Sequence, residues 1–179
     1  RMFKLFSRVL WVAGLLGSAW AQGVPSTVVN TPQLRAELVA HAPQGVQAGQ
    51  PVWVGLQLTH QPEWHTYWRN PGDSGLPTQI ELNLPAGITA GEVKWPLPHK
   101  LKAGNLTNYG YDKTVLLAVP LTVSKQYKPN ASQTLDLQVH ANWLVCRLEC
   151  IPQEGDFALR IPVNSSYAPQ AAAFDALQA

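Results

Sequence analysis

Hydrophobic side chains alternate with polar ones most regularly in the stretch that leads to the first cysteine. The apolar residues of that stretch are Leu135, Leu137, Val139, Ala141, Trp143 and Val145. A period of two places them on one face of a strand, which predicts a strand with that face in the core. His140, Asn142 and Cys146 fall on the opposite face. We therefore expect the cysteine to leave the core side as the strand enters its turn.

Shorter patterns of the same kind predict further strands. They cover positions 35–40, 52–58, 79–84, 115–123 and 157–163. Pro120 interrupts one of them and predicts an edge strand or a bulge, since proline cannot donate to a sheet ladder. Residues 171–177 are typical of a short helix or the start of a linker. About seven or eight short strands, frequent Pro and Gly, and no long helical period predict an all-β fold, an antiparallel β-sandwich.

The beginning of the chain has the features of a secretory signal peptide over residues 1–21. Positive charge at Arg1, Lys4 and Arg8 precedes an apolar run and then small residues, and we expect cleavage after Ala21. The apolar run is about half of the ~20 residues that span a bilayer, which argues against a permanent anchor. Export to the periplasm or the extracellular space is the prediction. The polar stretch that follows predicts a loose leader into the domain.

Charge and composition narrow the class of protein. The chain holds 13 Lys and Arg residues against 11 Asp and Glu residues, and removal of the signal leaves ten against eleven, a net charge of about −1. A chain without a basic stretch lacks the electrostatic footprint of a nucleic-acid-binding protein, and an anionic membrane surface is disfavoured for the same reason. With 46% hydrophobic residues and about 158 residues after cleavage, we expect one domain with its own core.

The only two cysteines, Cys146 and Cys150, are separated by three residues. A disulfide requires Cα atoms within about 7 Å, so the residues between them must turn back, and the pair is expected at a hairpin tip. Closing so short a loop is worth roughly 2 kcal/mol, less than a longer loop gives, which argues against a purely stabilising role. A redox-active disulfide, a structural disulfide and a metal site all stay open at this point.

Two other segments can contribute to a site. Residues 63–75 combine aromatic side chains, a histidine, an arginine and a Gly/Pro loop, with Trp68 and Arg69 as candidates for lining a pocket or a partner surface. The alternative is a strand of core aromatics followed by a tight loop. Residues 105–111 predict either a mobile cap over the sulfur atoms or an ordinary loop with half-buried tyrosines. The histidines lack metal-ligand spacing, so zinc is not expected, although two thiolates suit copper(I).

Several segments, in their order along the chain, resemble the N-terminal periplasmic domain of the DsbD and ScsB disulfide reductases. The resemblance covers roughly residues 35–165. The segments that carry it lie at 65–77, 94–96, 108–111, 143–146 and 150–152. It implies an immunoglobulin-like β-sandwich, preceded by a leader over 22–34 and followed by a linker or short helix over 166–179.

The resemblance also implies a function, that of a protein-disulfide reductase component that needs no cofactor. In that family the cysteines cycle between dithiol and disulfide, and the second forms mixed disulfides, which assigns that role to Cys150 and the resolving role to Cys146. The implied partners are a thioredoxin-like electron donor, an oxidised periplasmic disulfide isomerase or similar substrate, and a membrane-embedded reductase domain. The thioredoxin-like and membrane parts are not in this sequence, so we expect a fragment of a larger membrane protein or a free-standing module.

The chain departs from the family pattern at two places. Better-known DsbD domains have five residues between the cysteines, and the three found here resemble the ScsB branch. The cap of the family has an acidic residue and a phenylalanine before its Tyr-Gly, where this chain has Thr107 and Asn108. Shielding of the sulfur atoms is therefore expected from Tyr109 or Tyr111, with Asn108 as a further pocket candidate.

A function of another class stays open beside this one. A non-catalytic secreted β-sandwich that binds a protein partner or copper would carry the same cysteines as a structural disulfide.

Overall fold

The structure is a computed structural model that describes residues 26–177, so the predicted signal peptide lies outside the described residues. Along the described chain, eleven strands are followed by one short helix. The strands are β1 (Val28–Asn30), β2 (Leu34–His41), β3 (Val52–His60), β4 (Thr66–Gly72), β5 (Gln79–Asn83), β6 (Ile88–Ala90), β7 (His99–Ala103), β8 (Leu106–Tyr111), β9 (Thr114–Val123), β10 (Thr134–Cys146) and β11 (Cys150–Pro162), and the helix is α1 (Ala171–Asp175). β1 lies within the stretch predicted as a leader.

Five antiparallel strands form the first sheet, in the order β1-β2-β3-β9-β6. The register places Leu38 of β2 opposite Leu56 of β3, and Leu56 opposite Leu117 of β9. All three leucines are at most 2% exposed. This row across the central strands buries apolar surface on one face of the sheet, which is why the alternation along the sequence predicts these strands correctly.

Pro120 does not lie on an edge strand, so the edge alternative of that prediction was wrong. β9 lies between β3 and β6, and Pro120 is paired with Trp53 of β3. The Pro120 carbonyl accepts a hydrogen bond of 2.8 Å from the N–H of Gly91, the residue directly after β6. In an antiparallel ladder the N–H and C=O of one residue point toward the same neighbour. The N–H that proline lacks would therefore point to the end of β6, where the pairing stops.

The second sheet is built on the hairpin of β10 and β11, two strands of 13 residues each, with β5 on the other edge of β10. The apolar residues predicted to share one face of β10 are all at most 3% exposed. Val139 lies between Phe157 of β11 and Leu82 of β5. The core fills the space between this sheet and the first one. The prediction of an all-β, immunoglobulin-like antiparallel β-sandwich is confirmed.

A small third sheet, in the order β4-β8-β7, joins the end of the β10–β11 hairpin that carries the cysteines. Of these strands, the sequence pattern allowed β4, through the alternative of a strand of core aromatics within residues 63–75, and it did not predict β7 or β8. β4 ends in Arg-Asn-Pro-Gly, and β7 is the short polar segment His-Lys-Leu-Lys-Ala. Most of the segment expected to be a cap or a loop, residues 105–111, is the strand β8.

The short helix α1 packs on the outer face of the first sheet. Phe174 is 1% exposed, and its ring stacks on that of His41 with centroids 5.2 Å apart. It contacts Val39, Leu116 and Ala118, which alternate with core positions along β2 and β9 and therefore face outward. Within residues 26–177 no helix has the length and hydropathy needed to cross a membrane.

Replacement of Leu56 by alanine should lower the free energy of unfolding by about 2–5 kcal/mol, because the side chain is fully buried in the central row. Urea unfolding followed by tryptophan fluorescence measures the change. Leu97→Ala is the matched control, since Leu97 is 91% exposed and its truncation should change stability by less than about 0.5 kcal/mol. Equal, small effects of the two changes would contradict the place of Leu56 in the core.

Candidate active site

The two cysteines face each other at the tip of the β10–β11 hairpin. The register of the two strands runs without a break to the Cys146–Cys150 pair, and residues 147–149 form the turn. The Cα atoms are 4.1 Å apart and the side chains form a disulfide. The predicted hairpin tip is therefore confirmed. Directly opposed positions at the end of a hairpin bring the sulfur atoms together while the pairing of the two strands continues behind them.

The two halves of the disulfide have different surroundings. Cys146 is 2% exposed, whereas Cys150 is exposed. As predicted, Cys146 points away from the core face of β10, but it is buried there, and its backbone is paired with the segment that leads into β4. The N–H of Cys146 donates to the carbonyl of His65, and the N–H of His65 donates to the carbonyl of Cys146, both at 2.9 Å. An incoming group can therefore approach the disulfide from the side of Cys150.

Tyr67 is the residue whose side chain reaches the disulfide. Its hydroxyl oxygen is 3.9 Å from Sγ of Cys150, and Nε2 of His65 is 3.3 Å from the same hydroxyl. Tyr67 is 3% exposed, and burial raises the pKa of its hydroxyl. Burial lowers the pKa of His65, and the nearby charge of Asp112 opposes this only in part. Both side chains are therefore uncharged at pH 7, and they can donate hydrogen bonds without adding a charge.

Three of the predicted pocket residues form a cluster on the third sheet. The Arg69 guanidinium lies 5.3 Å from the centre of the Trp68 ring, and the Trp68 and Tyr109 rings meet edge to face at 6.4 Å. Tyr109 is 37% exposed. Trp68 also packs against the core. A side-chain contact to Cys150 comes from Tyr67, and the shielding of the sulfur atoms expected from Tyr109 or Tyr111 stays a prediction.

The two other candidates, Asn108 and Tyr111, hold the loops of the site in place. Asn108 is 1% exposed, and its side-chain oxygen accepts hydrogen bonds from the backbone N–H of Ser74 at 3.0 Å and from the Ser74 hydroxyl at 3.2 Å. The Tyr111 hydroxyl donates to the carbonyl of Pro96 at 2.8 Å, and burial raises the pKa of this tyrosine. Both residues are thus fixed by neighbouring loops, and their roles toward the sulfur atoms stay predictions.

The charged residues of the turn are directed toward the surface. The Arg147 guanidinium lies 5.0 Å from the centre of the Trp64 ring and 3.7 Å from the Glu63 carboxylate. The ion pair is largely exposed, so it contributes little stability. Leu148, between Arg147 and Glu149, is 97% exposed. No group of three or more His, Cys, Asp or Glu side chains in residues 26–177 is arranged to hold a metal ion.

Comparison with known proteins identifies the family of this fold and site. The sequence model of the family described as "Thiol:disulfide interchange protein DsbD, N-terminal" matches residues 33–162. The chain belongs to this family. The structure of this DsbD-type domain is similar to the crystal structure of the N-terminal periplasmic domain of ScsB from Proteus mirabilis, with a TM-score of 0.60 and 20% identity over 86% of the chain. The likeness concerns the fold, and the chain spans 57% of the length of that ScsB chain.

No curated protein matches the chain. The resemblance read from the sequence is confirmed, and residues 33–162 form an N-terminal domain of the DsbD type.

Sequence reasoning named the segment that holds Tyr67 but chose its neighbours Trp68 and Arg69. Residues two apart share a face of a strand. Tyr67 therefore shares a face with His65, whose backbone is paired with that of Cys146. The alternation of side chains along a strand could have placed Tyr67 and Trp68 on opposite faces. The pairing of His65 with Cys146 could not be predicted from the sequence, because it joins residues far apart in the chain.

His60 should make the stability of this DsbD-type domain depend on pH. Its Nδ1 lies 2.5 Å from the carbonyl of Lys113 and its Nε2 2.9 Å from the hydroxyl of Thr66, the residue before Tyr67. Burial lowers the pKa of His60 from its ordinary value of 6.5, and this is the largest influence on it. The unfolded chain therefore binds a proton more readily than the folded one. The contribution of neutral His60 to the free energy of unfolding is complete above about pH 6.5. It is lost as the pH falls toward the lower pKa of His60 in the folded state.

Urea midpoints between pH 7.5 and pH 5 measure this effect. His60→Gln should reduce the loss of stability on acidification. His140→Gln should not reduce it, because the hydrogen bond to Asp156 raises the pKa of His140 and its contribution has the opposite sign. The same loss in wild type and in His60→Gln would contradict the assignment.

Proposed function

We propose that this domain relays electrons by thiol-disulfide exchange at Cys146 and Cys150, from a thioredoxin-like donor to oxidised proteins of the periplasm. The observation that carries the proposal is the unequal exposure of the pair. Cys150 is exposed at the hairpin tip, while Cys146 is 2% exposed and its backbone is fixed to His65. A disulfide that serves exchange needs one accessible sulfur and one protected neighbour that completes the reaction.

In the reduced domain, the Cys150 thiolate attacks one sulfur of the substrate disulfide. A bond forms between Cys150 and that sulfur, the substrate disulfide breaks, and the second substrate sulfur leaves as a thiolate that takes up a proton. The thiolate of Cys146 then attacks Cys150, which forms the Cys146–Cys150 disulfide and releases the first substrate sulfur. Two electrons pass from the domain to the substrate. A donor dithiol returns them by the reverse steps, beginning with attack on Cys150.

The proposed partners are those that the resemblance to the DsbD and ScsB family implies. The donor is a thioredoxin-like domain that is recharged by a membrane-embedded reductase, and the acceptor is an oxidised periplasmic disulfide isomerase or a similar protein. The signal peptide predicted over residues 1–21 supports export to the periplasm, where disulfides form and persist.

Single replacement of each cysteine tests the roles. Reduced Cys146→Ser is mixed with a thioredoxin-like partner whose resolving cysteine is replaced by serine and whose attacking cysteine carries a thionitrobenzoate leaving group. Cys150 should displace the thionitrobenzoate and accumulate a mixed disulfide, because neither protein has a second thiol to resolve it. Cys150→Ser should form almost none, since the remaining thiol is buried. Non-reducing electrophoresis with mass spectrometry measures the adduct. Equal trapping by the two variants would overturn the assignment of roles.

The reduction potential of the pair separates exchange from a structural role. We expect roughly −180 to −230 mV, the range of disulfide isomerases and glutaredoxins, by equilibration with glutathione buffers. A value below about −300 mV would mark a resistant structural disulfide and favour the non-catalytic binding sandwich.

A further inference from the structure

We propose that Tyr67 is a further catalytic residue of this domain and that its hydroxyl donates a hydrogen bond to the Cys150 thiolate, with His65 as the positioning residue behind it. The inference rests on the proposed function, because the thiolate exists only when the disulfide opens. In the oxidised protein the Tyr67 hydroxyl already lies 3.9 Å from Sγ of Cys150. Hydrogen bonding to the charged form of a group favours that form, so the contact stabilises the thiolate over the thiol.

His65 determines which way the Tyr67 proton points. Nε2 of His65 is 3.3 Å from the Tyr67 hydroxyl oxygen. In the tautomer that carries its proton on Nε2, the imidazole donates to the oxygen and leaves the hydroxyl proton free to point at sulfur. The two rings meet edge to face at 5.2 Å, which holds them in this relation. Burial keeps both groups uncharged at neutral pH.

Close packing of two glycines fixes the Tyr67 ring and backbone. A Cβ on Gly75 would lie 2.3 Å from Cε1 of Tyr67, and a Cβ on Gly110 would lie 2.0 Å from the carbonyl oxygen of Thr66. Neither position has room for a side chain. Gly75 also has φ of +97°, which a residue with a side chain rarely adopts. The loop with Gly75 is fastened to β8 by the hydrogen bonds between Ser74 and Asn108.

Two sequence segments that are more than 30 residues apart, Ser74-Gly75 and Asn108-Tyr109-Gly110, thus converge on one tyrosine. The arrangement holds its hydroxyl against Cys150 and leaves the ring 3% exposed. A tyrosine kept only for core packing has no need of a polar atom aimed at the disulfide.

Tyr67 keeps its proton during the reaction. When Cys150 attacks, the hydrogen bond weakens as the negative charge passes to the leaving sulfur of the substrate. When Cys150 itself leaves, the hydrogen bond from Tyr67 strengthens as the negative charge returns to the Cys150 sulfur.

The other charged or titratable groups around the pair of cysteines are Glu63, His65, Asp112, Arg147 and Glu149. Of these groups, Arg147 lies against Trp64 and Glu63, and the recorded side-chain hydrogen bond to Sγ of Cys150 comes from Tyr67.

The pKa of the Cys150 thiol in the reduced full chain tests the proposal. Rates of alkylation by iodoacetamide are measured against pH, and mass spectrometry of the peptides separates Cys150 from Cys146. Tyr67→Phe should raise the Cys150 pKa by about one unit. The rate at pH 7 should then fall roughly threefold, since a tenfold loss of thiolate is partly offset by its greater nucleophilicity. Tyr127→Phe, at a half-buried tyrosine that packs on the core near Gly87, is the matched control and should leave both values unchanged.

Two changes at His65 test its positioning role. His65→Leu removes the donor to Tyr67 and should raise the Cys150 pKa by less than Tyr67→Phe does. His65→Gln retains an N–H donor and should restore most of the wild-type value. A merely structural role would move the melting temperature in both His65 variants without moving the pKa.

A Cys150 pKa in Tyr67→Phe equal to that of wild type would overturn the proposal. The cysteine trapping experiment stands apart from this measurement. Mixed-disulfide formation with an unchanged pKa would refute only the role of Tyr67, whereas a shifted pKa without any mixed disulfide would refute only the relay function.

Discussion

The site depends on one pair of backbone hydrogen bonds, the two bonds of 2.9 Å between His65 and Cys146. They attach the entry of β4 to the last residue of β10, and so place the third sheet at the tip of the cysteine hairpin. Because residues two apart share a face of a strand, the side chain of Tyr67 lies on the same face as that of His65. The same pairing fixes the backbone of Cys146, so the positions of Cys146 and of Tyr67 at the disulfide have a common origin.

The stability of the domain does not rest on the disulfide that it carries. The bond closes a turn of three residues, and such a short loop contributes roughly 2 kcal/mol at most. The β10–β11 hairpin is held instead by 13 paired positions and by a continuous buried face that includes Leu137, Trp143 and Val145. Opening the disulfide leaves these contacts in place, so a folded hairpin is compatible with both oxidation states. This property suits a pair that cycles, whereas a structural bridge usually joins distant parts of the chain.

The part of the structure that follows local rules could be predicted from the sequence. The alternation of β10 gave the strand and its core face, and the spacing of the cysteines gave the hairpin tip, because both depend on neighbouring residues alone. The third sheet could not be predicted in this way. Its strands are short, polar and interrupted by Pro71, and they are held by Asn108, by close glycine contacts and by the pairing of His65 with Cys146. Such contacts join positions distant in sequence, which is also why the contact of Tyr67 with Cys150 was not predicted.

The choice of an uncharged donor at the site has a chemical consequence. A strongly stabilised thiolate is a good leaving group but a weak nucleophile, and it makes the dithiol reluctant to give up electrons. A domain that relays electrons, as proposed for this chain, must do both halves of the exchange, so moderate stabilisation of the thiolate is preferable to a cation placed beside the sulfur. In this chain the nearest arginine along the sequence, Arg147, lies over Trp64 and beside Glu63. The buried hydroxyl of Tyr67 and the neutral imidazole of His65 supply directed hydrogen bonds in its place, and their low-dielectric surroundings make those bonds effective.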